Sequence, residues 1–179
     1  ELYKAGKIEE SINFLEKSKK STKEISLILG SLYHEQKEYS KAEEYYKKAI
    51  EAGDNDALNN LGNLYHEQKE YSKAEECYKK AIEAGDNDAL NNLGNLYKEQ
   101  EEYSKAGECY KKAIDAGDNN ALNSLSWMYF EQGKELKESL ELIQESYEIK
   151  KEYANTHTFA IILLWNEEFS KSYEKYEEW

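Results

Sequence analysis

Apolar residues return along this chain at helical spacing, in the same order, copy after copy. Ala57, Leu58, Leu61, Leu64 and Tyr65 fall on one stripe; Ala74, Cys77, Tyr78, Ala81 and Ile82 fall on a second. Both follow the i, i+3, i+4, i+7 spacing of an amphipathic α-helix, so the pattern predicts two helices per unit. The unit from Leu29 to Asn60 recurs at Leu61 to Asn92, changed only at Ser31/Asn63 and Tyr45/Cys77, and more loosely at Leu93 to Ser124. A fixed 32-residue period predicts a solenoid, because each unit leaves an apolar face that its neighbour must cover.

The punctuation between stripes fits. Gly85 stands where a helix should end, and Asp86 or Asn87 can cap the next one. Ser40-Lys41-Ala42-Glu43 and Ser72-Lys73-Ala74-Glu75 read as capping boxes opening the second helix of their units. Glu75/Lys79 and Glu76/Lys80 are i, i+4 pairs on its polar face. Small residues recur where helices must approach closely: Gly62, Ala74 and Ala81, then Gly94, Ala106 and Ala113. The outer units are weaker copies. Glu10-Ser11-Ile12-Asn13-Phe14-Leu15 echoes Glu138-Ser139-Leu140-Glu141-Leu142-Ile143, with Ser in the place of Ala in both.

The spaced residues Leu61-Gly62, Tyr65, Ala74, Tyr78 and Ala81 resemble the tetratricopeptide repeat, and the stretch KAIEAGDNDALNNLGNLY is similar to the related Sel-like repeat. The resemblance implies an all-α, right-handed superhelical solenoid of antiparallel helix pairs. It would span 1–179 as one domain: a leading half-repeat at 1–20, then repeats at 22–52, 55–84, 87–116, 119–150 and 153–179. Three features depart from the family. The period is shorter than the usual length of about 34 residues. The family's proline after the second helix is missing, as is every other proline. Its turn glycine is Lys69 here, although Gly6 and Gly133 keep it in outer units. A left-handed Lys69 would cost about 1 kcal/mol.

Composition narrows the function. The net charge is −13 and arginine is absent, which argues against a nucleic-acid partner and favours a basic or neutral one. No apolar run approaches the roughly 20 residues of a membrane span. There is no phosphate loop, nucleophile elbow, HExxH or CxxC, so neither an enzyme nor a cofactor is expected. Cys77 and Cys109 lie one period apart, about 10 Å on stacked helices, beyond the ~7 Å reach of a disulfide. They read as packing residues, which suits a reducing, cytoplasmic location. The chain opens Glu1-Leu2-Tyr3 without a methionine or a signal pattern and reads as a fragment of a longer protein. His34 and His66 sit at equivalent places, but the next copy has Lys98, so no metal site is predicted.

The first helix of each unit carries a distinctive polar face: Asn59, Asn63 and His66, then Asn91, Asn95 and Lys98, then Asn123, Trp127 and Phe130. In tetratricopeptide arrays first helices line the concave groove, so the resemblance implies an asparagine ladder there. Asparagine offers both donor and acceptor to an extended peptide; the alternative is that these amides bridge adjacent helices or face water. Asp56, Glu67, Asp88 and Glu99 make the middle acidic, while Trp127, Phe130, Ile161, Leu164 and Trp165 make the end apolar. A carboxylate clamp is disfavoured, because arginine is absent and acids flank the ladder. The expected function is a scaffold holding an extended peptide or helix of a protein partner. Two alternatives stand beside it: self-association through the apolar C-terminal end, and a regulatory arm of a larger protein.

Overall fold

The computed structural model describes residues 2–17, 22–133, 136–149, 158 and 160–165. These residues form two compact units, Glu1–Leu96 and Tyr97–Trp179. The described residues are all-α, and consecutive helices pack as antiparallel pairs in a tetratricopeptide-like array. Nine helices are bounded: α1 (Leu2–Glu16), α2 (Lys23–Glu35), α3 (Tyr39–Glu51), α4 (Asp56–Glu67), α5 (Tyr71–Glu83), α6 (Asp88–Glu99), α7 (Tyr103–Asp115), α8 (Asn120–Glu131) and α9 (Leu136–Ile149). A tenth helical stretch covers 160–165. Most of the repeat read at 153–179 lies outside the described residues. Gly6 does not mark a turn: it falls within α1, because the apolar pattern begins upstream of it at Leu2.

In the first unit α2 pairs with α3 and α4 with α5, and α3 joins the two hairpins by packing on α4. The stripes read from the sequence are the core: Ala57, Leu61, Leu64, Tyr65, Ala74, Tyr78 and Ala81 are all buried. Gly62 is required by packing. A Cβ there would stand 2.5 Å from Cε1 of Tyr78, and the same clash separates Gly30 from Tyr46. In the second unit α8 pairs with α9, and α7 packs on α8. Here the rule changes in a coordinated way. Ser126 takes the glycine's place, Ser139 the alanine's, and Ile143, four residues on, the tyrosine's. The shorter Ile143 makes room, and the two serines lock the crossing. Ser126 Oγ donates to the Ser139 carbonyl at 2.7 Å, and Ser139 Oγ donates to the Ser126 carbonyl at 2.9 Å.

The turns explain how a 32-residue period closes. After α4, the Lys69 amide donates to the His66 carbonyl at 2.9 Å, and the Glu70 amide donates to the Tyr65 carbonyl at 2.8 Å. That is a Schellman ending, which needs a left-handed residue. Lys69 supplies it at φ 60°, as do Lys37 at 60° and Glu101 at 61°. Glu70 then serves both as the end of one motif and as the N-cap of α5. The second helices therefore start two residues earlier than the proposed capping boxes, Ser40 and Ser72 fall inside the first turn, and no side-chain cap forms there. Glu38 pairs instead with Lys41 at 2.7 Å, and Glu70 with Lys73. Of the first helices, α2 is capped by Thr22, whose hydroxyl accepts the Ile25 amide, and ahead of α4, α6 and α8 the residues Asp54, Asp86 and Asp118 each accept the backbone amide two residues on.

Lys69→Gly is expected to raise stability by about 0.5–1 kcal/mol, since glycine enters the left-handed region without steric cost but adds freedom to the unfolded chain. The check is a higher urea midpoint with an unchanged slope.

Candidate functional site

The surface of interest in the first unit is built on α4 and α6. Turns closed by Asp54 and Asp86 lead into these helices, and the buried Leu and Tyr stripe fixes their rotation, so the asparagines share the opposite side. Asn59, Asn63, His66 and Asn91 are half-buried, and Asn95 is exposed.

The amides are not all idle. Tyr78, buried beneath α4, donates its hydroxyl to Asn63 Oδ1 at 2.8 Å. Asn92 Nδ2 donates to Asn59 Oδ1 at 2.9 Å, tying α6 to α4. Two ladder carbonyls are thus consumed inside the array, as the bridging alternative expected, while each amide keeps its N–H donors. Asn91 Oδ1 is buried without a hydrogen-bond partner. The His66 ring meets Tyr71 edge-on at 6.0 Å. His34 Nε2 lies 3.1 Å from Glu67 Oε2, so this acid faces a histidine of the preceding hairpin.

The sequence reading missed Asn92 and Tyr78 as partners of the ladder. One signal was present. Ser31 and Asn63 differ between otherwise near-identical copies, and each stands fifteen residues before its tyrosine. Tyr46 reaches Ser31 Oγ at only 3.4 Å, whereas Tyr78 reaches the longer Asn63 at 2.8 Å.

A second recurring feature joins hairpins in the first unit. Tyr65 donates its hydroxyl to Glu43 at 2.8 Å, while Lys47 reaches the same carboxylate at 2.7 Å and Lys73 lies over the Tyr65 ring. Tyr33 repeats the arrangement with Glu16 at 2.6 Å and Lys41. The hydrogen bond from Lys47, followed by that from Tyr65, holds Glu43 below the usual carboxylate range. Burial, followed by the bond to Glu43, pushes the Tyr65 phenol up.

In the second unit Lys98 is engaged by Glu131 at 2.8 Å. Asn123 is half-buried. Trp127 meets Phe130 at 5.4 Å, and Phe130 meets Trp165 edge-on at 5.7 Å. The three rings form one cluster with an open side, because Trp165 is 48% and Leu164 65% exposed.

Among the described residues, no group of three or more His, Cys, Asp or Glu could hold a metal ion, and no helix is long and apolar enough to cross a membrane. Neither Cys77 nor Cys109 forms a disulfide; both are buried, and burial pushes the Cys77 thiol up to about 11.

Models of the tetratricopeptide repeat match residues 56–84, 88–117 and 1–57, which together make up more than half of the chain. The chain belongs to the tetratricopeptide-repeat family. Both models describe that repeat, and the Sel-like features gain no support from them. Among solved structures, a crystal structure of MamA is similar, with a TM-score of 0.66 and 24% identity over 80% of this chain and 88% of that one. No curated protein matches the chain significantly. Tetratricopeptide repeats are in general modules of protein–protein interaction and typically non-catalytic, and the family implies protein partners as a class.

Proposed function

We propose that the amide face of the first helices binds an extended segment of a partner protein through that segment's backbone carbonyls. One observation carries this reading. Asn59 and Asn63 have their carbonyls tied to Asn92 and Tyr78, so both amides are held with donors to spare. The two residues are four apart on α4, about 6 Å along the axis. Alternate carbonyls of an extended chain recur every ~6.7 Å, so successive same-side carbonyls match successive amides. Asn91, Asn95 and His66 continue the same polar face. Asp56, Glu67 and Asp88 beside it favour a neutral or basic segment. The second unit, taken by itself, offers a separate contact surface, where Trp127 and Phe130 can anchor an apolar side chain of a partner.

Alanine is the wrong probe of this face, because Asn63→Ala would strand the buried Tyr78 hydroxyl. Asn59→Asp with Asn63→Asp keeps both acceptors and removes all four N–H donors. Peptides selected from a displayed library against the full chain are expected to bind this variant about tenfold or more weakly, with the helical circular dichroism unchanged. Equal binding would mean that the amides are structural only.

A further inference from the structure

In the first unit, the tyrosine near the end of a first helix has a fixed partner. Tyr33 donates its hydroxyl to Glu16 and Tyr65 donates to Glu43, and both rings are buried. Two periods after Tyr65 stands Tyr129 of α8, and two periods after Glu43 stands Gly107 of α7. The later copy has kept the donor and lost the carboxylate. Tyr129 is accordingly only half-buried, and its hydroxyl has no hydrogen-bond partner among the described residues. Beside it a cavity of about 330 Å³ opens between α7 and α8, with Ser104, Gly107 and Lys111 on one wall and Met128, Tyr129 and Gln132 on the other.

The groups that hold Glu43 have counterparts here. Lys111 stands in the place of Lys47, whose ammonium lies 2.7 Å from Glu43; its own ammonium lies over the Tyr129 ring, 5.9 Å from the ring centre. Gln132 stands in the place of Gln68. Gln68 Nε2 donates to the Leu64 carbonyl at 3.3 Å, whereas Gln132 Nε2 is buried without a hydrogen-bond partner. A buried donor left unmade costs free energy, and a carboxylate in the cavity gives this amide an acceptor once it turns outward. The space begins at the backbone: a Cβ on Gly107 would meet only Met128 Cε, at an ordinary 3.6 Å. Charge selects among anions. The exposed Glu108 also borders the cavity, so one lysine leaves no surplus for a phosphate dianion and suits a single carboxylate. The chain's own occupant of the equivalent place is a glutamate side chain on a helix, and the family implies protein partners.

We propose that the cavity between α7 and α8 receives one aspartate or glutamate side chain of a partner protein, whose carboxylate accepts from the Tyr129 hydroxyl beside the Lys111 ammonium. The partner restores in trans the contact that Glu43 makes within the chain. Met128, Tyr129 and Gln132 fall on a different stripe of α8 from Asn123, Trp127 and Phe130. This site and the reading of the amide face can therefore fail independently.

The test uses the full chain, isotopically labelled, and a glutamate blocked as an amide at both ends. Saturable amide shifts are expected at Gly107, Lys111, Tyr129 and Gln132. The matching blocked glutamine, which lacks the charge, should bind about tenfold or more weakly. Tyr129→Phe removes one hydroxyl and should weaken glutamate binding by a similar factor, with the helical circular dichroism unchanged. Gly107→Glu supplies the carboxylate from within the chain and should abolish the shifts, whereas Gly107→Ala leaves the cavity open and should retain them. Absence of saturable shifts, equal binding of the glutamine, undiminished binding by Tyr129→Phe, or shifts that persist in Gly107→Glu would each overturn the proposal. Acetate tests the source of the carboxylate. It lacks the stem and the flanking amides and should bind more weakly than the blocked glutamate; equal affinity would assign the cavity to a free small carboxylate and overturn the assignment to a protein side chain.

Discussion

Gly62→Ala is expected to destabilise the protein by about 2 kcal/mol, although the same exchange in an open helix stabilises it by about 1. The reason lies in what the new methyl group meets. Its carbon would stand 2.5 Å from Cε1 and 2.6 Å from Cδ1 of the Tyr78 ring. The ring cannot swing aside: it is completely buried, and its far end is held by the hydroxyl bond to Asn63. The helices must then separate, and interior contacts are lost on both. The second hairpin type in the same chain supplies the control. Where Ser126 replaces the glycine, Ile143 replaces the tyrosine, and the crossing survives. On a Tyr78→Ile background, therefore, Gly62→Ala should be neutral or stabilising by up to about 1 kcal/mol, a coupling of about 2–3 kcal/mol. Urea titrations of the four proteins in this cycle, followed by helical circular dichroism, measure it. An identical loss on both backgrounds would show that the ring is not the obstacle.

The second large effect is with alkaline pH. Burial, the leading cause in each case, pushes up the phenols of Tyr33, Tyr65, Tyr78 and Tyr110. For Tyr33 and Tyr65, donation to Glu16 and Glu43 adds to it. A raised native value means that folding favours the neutral phenol. This stabilisation is fully present below the unfolded-chain value near ~10 and is lost as pH rises through the native values. The helices are expected to melt above about pH 10, and these tyrosines should ionise together with that loss rather than before it. Circular dichroism and the tyrosinate absorbance band, recorded on one sample, give both curves. If every tyrosine ionises while the helices remain intact, their burial does not control stability. The acid side runs oppositely. Glu16, held low first by the Tyr33 bond, and Glu43, held low first by Lys47, lose their contribution as pH falls below about 4.

Much of this architecture could be read from spacing alone, because apolar periodicity is set by which side of a helix must leave water. The paired helices, the buried stripes and the need for a small residue at Gly62 all follow from it. The left-handed Lys69 was legible because the family pattern places a glycine there. The starts of the second helices were not. Ser72 has the composition of a cap, but backbone hydrogen bonding at the preceding turn had already committed Glu70. The candidate site was legible as a list of side chains and opaque as a set of bonds. Nothing in the order of letters says that Tyr78 will reach Asn63, because that reach depends on how deeply two helices cross.

Two kinds of crossing coexist in one molecule: glycine under a tyrosine ring in the α4–α5 hairpin, and serine against serine beside Ile143 in the α8–α9 hairpin. Unequal exchange between gene copies can therefore lengthen or shorten the chain freely only when whole hairpins are inherited together. A breakpoint inside a hairpin would join α8 to the partner of α4 and drive Ser126 into a tyrosine, so the heritable cassette is the hairpin and not the helix.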